Sequence, residues 1–439
     1  MQSILVLAAD ESPRLEYILN ELLTNRLGIE YKITTSQDYF LKSNSAKINY
    51  GNKIIEGCIN IPAVNLLYQE DIKKPEIKTT ADARWHITFF NKPFENIPDT
   101  KTTTHWLNFD MLAAAFFLLT RYEEYGNKQT DKHGRYNYKN SLAFVNNFLH
   151  LPLIDIWVET AKTIIANLYP QLKIKAQQYR QIITVDIDRT YKYKGLSWWG
   201  LLKKQVAHIA AQRKEALQQL INFKKHQNDP YDTFKKLTAH NHSMVFFWLL
   251  SGNKHKLDKN LPTTHSSYEI IKTLQSDKIT HGLHPGYYAA ANKKALQQEY
   301  LNFKSLFGFE PTLARWHFLK ITLPKSFEWL IENNFTQDWS MAYADMPGFR
   351  ASTALPFKFF NLTTNRETNL LVQPVALMDV SLKNGLQLTP EAAIHLIKDY
   401  KNTVKQVNGQ FIVIWHNSSF DSTEGWRDWD KVFNEIIND

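Results

Sequence analysis

Apolar positions along this chain follow two rhythms, and the change between them falls near residue 180. In the front part, residues 3–8 (Ser-Ile-Leu-Val-Leu-Ala) form a compact apolar run of strand length. Residues 13–25 then place Leu15, Ile18, Leu19, Leu22 and Leu23 on one helical stripe, with Gly28 as a stop. Ile29–Thr35 and Lys53–Ile61 read as further strands, so the opening is a small α/β unit. Residues 69–108 are polar and proline-containing and support no assignment. A helix is expected over about 109–125, ending in Arg-Tyr-Glu-Glu-Tyr. A second, over 154–168, carries Ile154, Trp157, Val158, Ala161, Ile164, Ile165 and Leu168 at amphipathic spacing before Pro170.

Beyond residue 180, short apolar strands alternate with helical stretches. Seven strands are expected: Ile182–Asp188, Met244–Leu250, Ile279–His284, Thr312–Trp316, Phe335–Trp339, Leu371–Met378 and Phe411–His416. Helices are expected at about 266–276, 291–306, 322–333, 390–407 and 424–437. Repeated βα units imply a parallel sheet, and the remaining length suits a βα barrel. The predicted fold class is α/β: a distorted (β/α)7 barrel over 176–439 behind a smaller N-terminal α/β domain over 1–175.

Composition narrows the possibilities. The chain has 439 residues, 44% hydrophobic and 22% charged, the balance of a folded protein. Its one cysteine, Cys58, excludes an internal disulfide and a cysteine zinc site and favours a reducing compartment. No apolar run approaches the roughly 20 residues of a membrane span. The acidic start, without a basic n-region, reads as a strand and not a signal peptide. The net charge of +9 is concentrated in residues 191–240, which hold ten Lys/Arg and three Asp/Glu. A nucleic-acid partner is therefore not expected. The basic segment keeps a helical stripe with Trp198–Trp199 at its entry. It reads either as a surface helix packed on the barrel or as a contact for an anionic surface, a membrane or an acidic glycan.

Ionisable residues gather at the strand ends, where βα barrels carry their active sites. Asp186 and Asp188 share a strand face, and two carboxylates so placed raise the pKa of one of them unless a cation sits between them; the plainer alternative is a helix cap or a salt bridge to Arg189. His284 stands in the turn Gly-Leu-His-Pro-Gly. Arg315 and His317 share the face of another strand. Asp338 and His416 end two more.

The order Asp-x-Asp, Gly-Leu-His, Arg-x-His, Asp-Trp-Ser and apolar-Trp-His resembles the polysaccharide deacetylase (NodB-homology) superfamily. The front half is similar to the N-terminal extension of one bacterial branch of it, through residues 31–35, 47–50, 117–125 and 131–135. Residues 229–234 and 338–351 look like the same branch. The resemblance implies a distorted barrel and a metal-dependent removal of N-acetyl or related acyl groups from an amino-sugar glycan or glycan precursor. It implies Asp186 as general base, Asp188 and His284 as ligands of a divalent metal such as Zn²⁺, Arg315 orienting the base with Asp338 behind it, and His416 as general acid. Where the family has a second histidine four after His284, this chain has Tyr288. His281, three residues earlier, points to the other strand face. His317 is the preferred third ligand. The competing reading is a catalytically silent barrel that binds a glycan or a protein partner. The expected location is cytoplasmic, peripheral at the inner membrane face, with anionic membrane contact through residues 191–240.

Overall fold

The computed structural model describes all residues except 1–2, 97–104, 128, 241, 253, 259, 261–265, 275–278 and 439. The front region is built on a five-stranded parallel sheet. Its strands are β1 (Ser3–Leu7), β2 (Glu30–Thr34), β3 (Ala46–Tyr50), β4 (Ile59–Ile61) and, after a β5–β6 hairpin (Thr80–Asp82, His86–Thr88), β7 (His105–Trp106). The order is β2-β1-β3-β4-β7. The strand expected over Lys53–Ile61 shrinks to β4, because Gly57 turns left-handed at φ 72° and the pairing starts only beyond it. The expected 109–125 helix spans Met111–Leu119 and stops where Arg121 takes φ 53°. That turn lets the Arg121 guanidinium meet Glu123 and Glu124. The amphipathic helix falls at Leu153–Leu168 with Leu153, Ile154, Trp157, Val158, Ile164 and Ile165 buried, as its period requires.

The second region carries a nine-stranded sheet. Its members are β8 (Arg180–Ile187), β9 (Met244–Trp248), β10 (Ile279–Leu283), β11 (Leu313–Ala314), β12 (Gln337–Met341), β13 (Phe357–Asn361), β14 (Arg366–Pro374), β15 (Leu377–Met378) and β16 (Gln410–His416). The order β13-β14-β12-β11-β10-β9-β8-β16-β15 is parallel throughout except for β13, which pairs antiparallel with β14. The sheet curls into a partly closed, distorted barrel whose edge strands β13 and β15 do not pair with each other. The single strand expected over Leu371–Met378 is two, β14 and β15, which pair with different neighbours.

Strand alternation separates two apolar layers. Val245, Phe247, Ile412 and Ile414 join Leu313, Trp339 and Met378 in a small inner core. Their sequence neighbours Met244, Phe246, Trp248, Phe411, Val413 and Trp415 face outward into the main core, which continues without a break into the front region. On β8 the inward positions are Ile182, Thr184 and Asp186, so the inner face turns from apolar to polar toward its carboxyl end. The helices Lys293–Phe307, Lys325–Glu332, Pro390–Gln406 and Trp429–Ile437 lie where sequence periodicity puts them.

Candidate metal centre

Register brings the site together. In the β8–β16 pairing, Asp186 lies directly beside His416. In β10–β11, Leu283 pairs with Ala314, so the next residues, His284 and Arg315, leave the sheet at one level. Asp188 follows the end of β8. Phe318 and Leu319 take left-handed backbone, φ 61° and 50°, immediately after His317. Such conformations in non-glycine residues persist where the surroundings hold them.

Asp188, His284 and His317 form the centre of the cluster. One ligand atom from each lies within 4.8 Å of the other two. His284 Nε2 is 3.4 Å and His317 Nε2 is 3.5 Å from Asp188 Oδ1. Bonds of ~2.1 Å set at tetrahedral angles would hold ligand atoms ~3.4 Å apart. Both rings are fixed from behind. His284 Nδ1 donates to the Arg315 carbonyl at 2.6 Å, and a carbonyl only accepts, so the proton sits on Nδ1. His317 Nδ1 donates to Asp258 at 2.7 Å. These bonds aim both Nε2 atoms at Asp188, whose buried Oδ1 accepts no hydrogen bond among the described residues. Backing of each ligand imidazole by a carbonyl or carboxylate is the usual outer support of a metal site. The donor set, two imidazoles and a carboxylate oxygen with an orphaned lone pair, fits a divalent ion.

The remaining polar groups surround this centre. Arg315, fully buried, donates from Nη1 to Asp186 Oδ1 and to Thr184 Oγ1, both at 2.7 Å, and from Nε to the Trp339 carbonyl at 2.9 Å. Asp186 Oδ2 faces His284 Nε2 at 3.7 Å. His416 reaches Asp188 Oδ2 with Nε2 at 4.0 Å, while Asp379 holds its Nδ1 at 2.8 Å and its backbone N–H at 2.8 Å. Asp338 makes no hydrogen bond to Arg315 among the described residues. It accepts from the Ser340 hydroxyl and N–H, each at 2.8 Å, and Ser340 in turn accepts from the Trp316 N–H. Asp338 thus braces the turn between Arg315 and His317.

Electrostatics follow from burial and pairing. Burial opposes charge on His416, but Asp379, Asp188 and Asp186 overcome it and carry the imidazole up to about 10. Burial likewise opposes charge on His317, and Asp188 and Asp258 raise it to about 9. Burial alone would raise the Asp188 carboxyl, yet His317, His284 and His416 hold it well below the usual carboxylate range. Burial pushes Asp338 up to about 7 against the Ser340 bonds.

The structure therefore brings Asp186, Asp188, His284, Arg315, His317 and His416 to one cleft and sets Asp338 behind it. His281 lies apart. It accepts from Trp248 Nε1 and sits among Phe246, Trp248 and Phe307, and desolvation depresses it to about 4. Tyr288 points outward, its hydroxyl bound by Asn292. Two supporting carboxylates went unread in the sequence. Asp379 directly follows an expected strand and carried the same strand-end signal as the others. Asp258 sits in a polar loop with nothing to mark it; it also accepts from the Tyr287 and Tyr288 N–H groups. The front region contributes as well, because Lys132, His133 and Arg135 line the same cleft. Arg135 ties that loop down by donating to Asp131, the Phe318 carbonyl and Asp345.

Residues 4–170 match the model of a family described only as a family of unknown function (DUF7033). A search of curated proteins returns no match. Among solved structures, the chain is similar to a protein from Mycobacterium smegmatis described as a polysaccharide deacetylase, at 15% identity and TM-score 0.38, over 60% of this chain and 84% of that one. A Pseudomonas aeruginosa PAO1 protein of the same description gives 14% and 0.37 over 60% and 84%. Puue allantoinase gives 12% and 0.34 over 58% and 85%.

Proposed function

We propose that this cleft hydrolyses an amide, removing an N-acetyl or related acyl group from an amino-sugar glycan or glycan precursor with the help of a divalent ion, Zn²⁺ by the character of its donors. One observation carries the reading: His284 and His317 are locked through Nδ1 so that both Nε2 atoms converge on the orphaned Asp188 Oδ1. When bound, such an ion supplies an acidified water and a Lewis acid for the acyl oxygen.

The chain's own groups divide the proton work. Asp186 is placed to accept a proton at Oδ2, since Arg315 occupies Oδ1 and keeps the carboxylate oriented. Arg315 cannot turn away, because Thr184 and the Trp339 carbonyl hold the same guanidinium. His416, whose charged form the carboxylates of Asp379, Asp188 and Asp186 favour, offers its Nε2 proton to the leaving nitrogen. Asp379 keeps that ring in one orientation and stabilises its charged form.

The test is metal content of protein purified without chelators, followed by assay on N-acetylated sugars. About one ion per chain is expected in the wild type. His317→Ala should lose it. Asp258→Asn should weaken metal affinity by roughly 10–100-fold through loss of ring support. Asp186→Asn and His416→Ala should keep the ion and lose about 10²–10⁴-fold in turnover. A wild-type protein that takes up no ion from added Zn²⁺ would replace this reading with the silent binding barrel.

A further inference from the structure

The helix Trp198–Ala210 buries none of its side chains. Of the fourteen large apolar side chains exposed among the described residues, five lie on this one helix: Trp198, Trp199, Leu202, Val206 and Ile209. At 3.6 residues per turn they fall within an arc of about 100°. Both tryptophans are more than half exposed, at 62% and 58%, and their rings stack at 3.6 Å. The opposite side of the helix is the one that packs: Leu201 meets Tyr193, Leu220 and Phe223. The apolar arc is therefore not a core face awaiting closure.

The element beneath it is firmly rooted. Buried Lys192 donates to Asp421, Thr423 and Gln219. Gln219, on the following helix Lys214–His226, also donates to Asp421. Asp229 accepts the N–H groups of Lys192, Tyr193 and Lys194. These anchors lie in the loops that leave the carboxyl ends of β8 and β16, the end of the sheet that carries the candidate metal centre.

Charge selects the occupant. Residues 198–226 contain six Lys/Arg and one acid, Glu215. Lys203 borders the apolar arc. Lysine is depleted at protein–protein interfaces, whereas an apolar stripe with tryptophan and flanking lysines suits the headgroup layer of an anionic bilayer. No helix among the described residues is long and apolar enough to cross a membrane, so the contact is peripheral. We propose that the Trp198–Ala210 helix lies in the plane of an anionic lipid surface and docks the carboxyl end of the barrel, with its cleft, at that surface. The proposal does not depend on the hydrolase reading, since it is measured without turnover.

The experiment is co-sedimentation of the full-length protein with sucrose-loaded vesicles of phosphatidylcholine and phosphatidylglycerol, against phosphatidylcholine alone. Binding is expected on the mixed vesicles, at least about 10-fold weaker on the neutral ones, and falling as salt is raised. Lys203→Glu with Lys204→Glu should weaken it by at least about 10-fold. Trp198→Ser with Trp199→Ser should abolish it. Lys294→Glu, an exposed change elsewhere, should leave it unaltered. Trp198, Trp199, Lys203 and Lys294 are exposed and Lys204 is half-buried over the Tyr193 ring, and circular dichroism should show each variant folded. Absence of binding to mixed vesicles, or binding that survives the tryptophan changes, would overturn the proposal. Concentration-dependent self-association lost in the tryptophan variant would overturn it in favour of a second copy as occupant.

Discussion

Histidines of this protein show how far residue identity alone reaches. His281 and His317 are equally buried, yet one is a core residue and the other a ligand candidate. The difference is what each ring nitrogen meets: the Trp248 indole N–H and the Leu274 carbonyl at His281, two carboxylates at His317. Behind His317 lies Glu299, which accepts the Gly286 N–H at 2.7 Å and is raised to about 8, first by burial and then by neighbouring Asp258. Its sign is opposite to that of a salt-bridged carboxylate. Between its ordinary value of 4.5 and about 8, the folded protein holds a proton that the unfolded chain has released. Stability from this group is present below that window and declines as pH rises through it. Thermal melts from pH 5 to 8 should therefore fall more steeply for the wild type than for Glu299→Gln. Parallel curves would show that Glu299 is ionised in the fold.

At the scale of elements, alternation and strand ends were legible because they are local. The positions of Asp186, His284 and His416 follow from where apolar runs stop. The loop 131–135 was legible only as a stretch of distinctive sequence; its place on the cleft wall depends on a contact made across about two hundred residues. Arg135 carries that contact through Asp345 and the Phe318 carbonyl. Arg135→Ala should release the loop, raising KM several-fold for any substrate the cleft takes, with metal stoichiometry unchanged. Hydrogen exchange should report faster amides at 131–135 and 317–320. Unchanged protection in both segments would show that the loop is held by other contacts. Strands β14 and β15 form one run in the sequence, mostly apolar over 371–378, and only their different partners divide them.

Over the whole molecule, the front region and the barrel share one apolar core. Tyr17 and Phe116 pack on Phe360. Glu124 pairs with Arg121 and with Arg350, both fully buried. Burial would raise the Glu124 carboxyl, but Arg350 and Arg121 hold it below its ordinary value. Asp155 accepts from Arg26, Thr353 and the Ala354 N–H. A boundary near residue 175 would leave buried arginines uncompensated, at a cost of about 3–5 kcal/mol for each broken pair. The full chain should unfold in a single transition by both circular dichroism and tryptophan fluorescence. Residues 176–439 alone should be insoluble or lack fixed tertiary packing. Two separated transitions, or a well-folded fragment, would establish two independent units.

The sequence by itself determined the α/β class, the order of the βα units, the polar strand ends and the basic character of residues 191–240. Each is a matter of period or composition and needs no partner. Tertiary structure decided which ends converge, since sheet register and curl set which side chains face one cleft. It also decided that Asp258 supports His317 and Asp379 supports His416, that the barrel stays partly open with β13 added at its edge, and that the front region walls the site. For the helix Trp198–Ala210, sequence supplied the stripe and the charge. Only packing showed the stripe facing outward, because burial is a property of what surrounds a side chain and not of the side chain itself.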